Sequence, residues 1–62
     1  MELTKIAGPP NCDSNDCPTV YTTDRDTVAV QGYTVSYPTP EGESVVEIPR
    51  EILLEAARAL GR

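Results

Sequence analysis

Two cysteines, Cys12 and Cys17, are the side chains of this sequence best equipped for chemistry. Two thiols with four residues between them can oxidise to a local disulfide or, as thiolates, share a metal ion. A structural zinc site takes four ligands, and the chain has no His. One protomer would have to add Asp13 or Asp16, or two protomers would pool four thiolates. A disulfide or a pair of free thiols is therefore the expectation, with zinc as the alternative and no other cofactor. The oxygen donors Asp13, Asn15 and Asp16 lack the spacing and the bidentate Glu of a calcium loop and read as a solvated turn. The same carboxylates disfavour a thiolate, so a structural role for the pair fits better than a catalytic one.

Catalysis has little else to draw on. A Cys or Ser nucleophile needs a nearby base, and without His general acid–base work near neutral pH is poorly supplied. Gly8, Gly32, Gly42 and Gly61 are scattered rather than gathered into a phosphate-binding loop. The carboxylates of Asp24-Arg25-Asp26 flank an Arg in the way a polar hairpin apex does. No catalytic residue and no enzymatic activity is expected. Tyr21, Tyr33 and Tyr37 remain as interaction candidates, since a phenol offers rigid contact area and a hydrogen bond. The competing reading is that they cover a core without Phe or Trp.

Charge narrows the partners. Ten acidic residues against five basic ones leave a net charge of −5, which repels nucleic-acid phosphates and anionic lipid. A protein partner, neutral or basic, is expected, with no nucleic acid and no membrane. The sequence leaves open whether the chain is a monomer or a homodimer. No apolar run reaches the length of a signal peptide or a membrane span, so a cytoplasmic location is expected.

Positioning these residues falls to a single domain, since 62 residues cannot build two cores. Residues 1–18, with Pro9-Pro10 and an aperiodic polar stretch, read as a loop-like arm carrying the Cys pair. Residues 19–62 read as an α+β domain. Segments 19–23 and 27–31 are β-branched and aromatic around a polar turn and predict a hairpin. Segments 33–37 and 44–48 predict two further strands of one small antiparallel sheet. Val28 and Val30 are even-numbered while Tyr33, Val35 and Tyr37 are odd, so an unbroken strand would put them on opposite faces. Gly32 must resolve that conflict, either in a two-residue turn pairing Val30 with Tyr33 or as a bulge within one long strand. Pro49 then opens a helix over 49–60, at the first helical position, with Ile52, Leu53, Ala56 and Leu60 against the sheet.

The run Cys12-x4-Cys17-Pro18-Thr19-Val20-Tyr21-x-Thr23-Asp24-Arg25-Asp26-Thr27-Val28-x-Val30-Gln31-Gly32-Tyr33-x-Val35 resembles small uncharacterised actinomycete proteins. The likeness continues through Val46-Glu47-Ile48-Pro49-Arg50-Glu51. It implies no activity, but members of that group often have Gly where this chain has Asp26, which implies a positive φ there. Separately, residues 46–53 are similar to the strand-to-helix corner of AbrB-type swapped-hairpin DNA-binding antitoxins, a family that continues into another strand. That likeness implies a dimeric DNA-binding regulator, which would require Arg25, Arg50, Arg58 and Arg62 to gather on one face. Three functions are thus in view: an acidic protein-interaction or regulatory accessory module first, then a metal or redox module on Cys12 and Cys17, then a DNA-binding regulator.

Overall fold

Thr19-Val20-Tyr21-Thr22-Thr23 is β-branched or aromatic throughout and forms strand β2 (Thr19–Thr23) in the computed structural model, which describes residues 1–10 and 17–61. Strand β3 (Val28–Gln31) runs antiparallel to it, with Val20 opposite Val30 and Thr22 opposite Val28. The turn between them is closed by the Thr23 amide donating to the Thr27 carbonyl at 3.1 Å. Inside it, the Arg25 amide donates to Thr23 Oγ1 at 3.0 Å. Asp26 sits at φ 59°, the left-handed residue that a three-residue hairpin loop places last. Asp tolerates this conformation better than most side chains but less well than Gly.

The amino-terminal segment departs from expectation. Residues 3–7, read from the sequence as part of a loop-like arm, form strand β1 (Leu3–Ala7), antiparallel to β2. A bulge between Lys5 and Ala7 shifts the register. Lys5 lies opposite Tyr21 and Ala7 opposite Val20, so the extra residue is Ile6. The shift puts the small Ala7 over Val20, on the face where the helix lies. Sheet order is β1-β2-β3.

Gly32 ends β3 without a hairpin. Strand β4 (Tyr33–Val35) pairs with β5 (Val45–Glu47) in a separate two-stranded sheet, Tyr33 opposite Glu47 and Val35 opposite Val45. Neither the turn nor the bulge resolves the parity conflict; the chain leaves one sheet and enters the other across a single residue. The reason is steric rather than conformational: Gly32 does not take a positive φ, but a Cβ on it would stand 2.4 Å from the Glu47 carbonyl oxygen and 2.8 Å from Ile48 Cγ2. The loop that returns to β5 closes with the Glu43 amide donating to the Pro40 carbonyl at 3.1 Å and Gly42 at φ 88°, as a type II turn demands of its third residue.

Helix α1 (Arg50–Gly61) follows, displaced by one residue from the 49–60 read in the sequence. Pro49 stands just before the helix instead of at its first position, and its carbonyl accepts the Ile52 amide at 3.0 Å. Glu51 in the first turn and Arg58 in the last suit the helix dipole. The helix lies across β1 and β2, where Ala7, Val20 and Ala56 form the buried cluster with Ile6, Ile48 and Ile52 packed around it. Alanine on both sides of the contact lets helix and sheet approach closely. Because β3 is left uncovered, Leu53 and Leu60, expected against the sheet, are exposed. The architecture is α+β, with the predicted helix and hairpin in place and the predicted single sheet divided in two.

Candidate protein-interaction surface

Alternation along β4 puts Tyr33 and Val35 on one face and Thr34 on the other. Burial does not follow that alternation strictly, since Thr34 is exposed while Val46 opposite it is half-buried. Tyr33 and its cross-strand neighbour Glu47 are exposed, as is Val45, whereas Val35 is half-buried. Tyr37 lines a shallow concavity with Val35 and Val45 at the end of the hairpin. Tyr33 is 66% exposed and Tyr37 68%, which rules out a core-covering role for these two phenols. Tyr21 differs: it is half-buried in the middle of the first sheet, between Lys5 and Ala29.

The hairpin is acidic. Glu41 and Glu43 are exposed in its loop, and Glu47 lies directly across from Tyr33. Tyr33 and Glu47 also line a recess with Ile48 and Pro49 at the entrance to α1. An aromatic face beside a carboxylate can take a Lys or Arg side chain, whose cation meets the ring and the charge together.

Cys17 is disulfide-bonded, while Cys12 lies outside the described residues, as do Asp13, Asn15 and Asp16. The Cys17 carbonyl accepts from Thr19 Oγ1 at 3.0 Å and from Gln31 Nε2 at 2.8 Å. These bonds tie the end of the polar loop to the start of β2 and the end of β3. Among the described residues no three His, Cys, Asp or Glu side chains gather as metal ligands. Arg25 stands in the β2–β3 turn and Arg50 and Arg58 at opposite ends of α1, all exposed; Arg62 lies outside the described residues. Among them no helix is long and apolar enough to cross a membrane.

Val28 and Val30 on β3 and Leu53 and Leu60 on α1 are also exposed, apolar side chains that the sequence did not single out as a surface. Their periodicity was visible, but it marks a face that could be buried and does not say what buries it. The chain matches no family model, no curated protein and no solved structure.

Proposed function

We propose that the chain is a non-enzymatic protein-interaction module whose β4–β5 hairpin docks a neutral or basic segment of another protein. The exposure of Tyr33 and Tyr37 beside Val35, Val45 and Glu47 carries this reading. A phenol supplies rigid contact area with a hydrogen-bonding tip and is frequent at the centre of interfaces. The surrounding carboxylates select for Lys or Arg and against acidic partners. Among the described residues both strands of the hairpin are edges of the two-stranded sheet, so an extended segment can add as a further strand while its side chains meet the tyrosines.

Selection of a random displayed-peptide library on the folded protein tests the reading. Enriched peptides should carry Lys or Arg next to apolar residues, and Y33A/Y37A should weaken their binding by roughly tenfold or more, about 1.4 kcal/mol. Enriched peptides that bind the double variant as tightly as the parent would overturn it.

A further inference from the structure

β3 is an edge of the three-stranded sheet. The bond from the Thr23 amide to the Thr27 carbonyl fixes the phase of the β2–β3 ladder. Bonded and non-bonded pairs alternate, so Thr27, Ala29 and Gln31 direct their backbone groups at β2. Val28 and Val30 direct theirs outward. The strand and its immediate flanks, Thr27-Val28-Ala29-Val30-Gln31-Gly32, hold no charge and no proline, the devices that ordinarily protect such an edge.

The side chains point to the same conclusion. Val30 lies opposite the buried Val20, so Val28 and Val30 share the face on which α1 lies, yet they are 48% and 42% exposed. Leu60 lines a groove with Thr22 and Val28 beside the helix. Leu53, seven residues earlier, falls on the same side of the helix. A groove lined by Val28 and Leu60 together with Thr22, Thr23, Asp26 and Thr27 therefore runs between the helix flank and this edge strand. The chain exposes 5022 Å² at 6.7 kDa, whereas a folded monomer of that mass exposes about 3,900 Å². The surplus, roughly 1,100 Å², is spread over the whole chain, the tyrosine hairpin included, and is of the order of the ~800 Å² that each partner buries in a standard interface.

We infer that the occupant is a second copy of this chain, added antiparallel along β3. The pairing with outward groups matched sets Val28 opposite Val30 of the other copy, with the two Ala29 residues facing each other at the twofold axis. In that register Thr27 meets Gln31 and Asp26 meets Gly32, so no like charges are opposed. Two three-stranded sheets become one of six strands, with both helices on one face. Four valines form a row between them, flanked by Leu53 and Leu60 of each copy. This pairing uses none of Tyr33, Tyr37, Val35 or Val45.

Sedimentation equilibrium across a dilution series, combined with amide hydrogen exchange, tests the proposal. The expected result is reversible association to twice the 6.7 kDa chain mass, with Val28 and Val30 amides protected in concentrated protein and unprotected in dilute protein. Val30→Lys places two ammonium groups in each dimer's apolar row and should weaken association by roughly a hundredfold or more. Should that variant fail to fold, the concentration dependence of the two parental amides still decides the matter. A monomer up to about 1 mM, where even weak specific association registers, would overturn the proposal. So would a dimer that leaves both amides unprotected, or one that Y33A/Y37A dissolves and V30K does not.

Discussion

Replacing Gly32 by Ala adds one methyl group at the junction of the two sheets. Its carbon would arrive 2.4 Å from the Glu47 carbonyl oxygen, 2.8 Å from Ile48 Cγ2 and 3.1 Å from the Glu47 carbonyl carbon. Two of these three atoms are backbone, so no rotamer change relieves the contact; β5 has to move away from the β3–β4 junction. Overpacking of this kind costs about 1–3 kcal/mol. A domain of 62 residues has roughly 3–9 kcal/mol in total, so the substitution removes a large share. A loss of about 2 kcal/mol lowers Tm by roughly 8–16 °C. Two other glycines serve as controls. A Cβ on Gly42 or Gly61 meets nothing within 4 Å. G42A bears only the strain of φ 88°, about 1 kcal/mol, and G61A, at the end of the helix, should be neutral or stabilising by up to about 1 kcal/mol. Urea unfolding followed by circular dichroism gives all three values. Equal costs for G32A and G42A, or a G32A within about 0.5 kcal/mol of the parent, would refute the steric account of the junction.

Three further changes probe other parts of the structure. Ala56→Leu forces three carbon atoms into the contact with Ala7 and Val20 and should destabilise by about 1–3 kcal/mol in a thermal melt; an unchanged Tm would mean that the helix does not sit there. Asp26→Gly, relieving φ 59°, should leave Tm unchanged or raised by a few degrees, whereas Asp26→Val should cost about 1–2 kcal/mol; the reverse order would show that the turn is misassigned. Cys12→Ser should free one thiol, Cys17, for alkylation and lower stability by about 2 kcal/mol, the loop-closure entropy of so short a ring. A variant with no new reactive thiol, checked by mass spectrometry, would show that Cys12 is not the partner of Cys17.

What the sequence made legible is what depends on neighbours along the chain. The β2–β3 hairpin follows from β-branched residues on either side of Asp24-Arg25-Asp26, and α1 from apolar residues at helical spacing after Pro49. The parity conflict at Gly32 was visible too, but its resolution depends on Glu47 and Ile48, fifteen and sixteen positions away. Strand β1 was lost for a similar reason. Leu3-Thr4-Lys5-Ile6-Ala7 alternates weakly, and its place is set by β2 on the far side of the polar loop. The tyrosines show the same limit, because the pattern that gives them a common face cannot say whether a helix will cover it. Here the helix goes to β1 and β2, leaving Tyr33 and Tyr37 to solvent.

The single-residue passage from β3 to β4 also divides the molecule dynamically. Among the described residues the β4–β5 hairpin has no partner strand beyond itself and contributes no residue to the buried cluster, so little there holds it closed except its own short ladder and the contacts of Ile48. An isolated two-stranded ribbon is at best marginally stable in water. The hairpin should therefore open and reclose many times within the lifetime of the folded three-stranded sheet, as a separate cooperative unit of low free energy. The tyrosine surface is then carried on the most readily remodelled element of the fold, and a ligand that clasps it would slow exchange of the Val46 and Glu47 amides without altering that of Val20 or Tyr21.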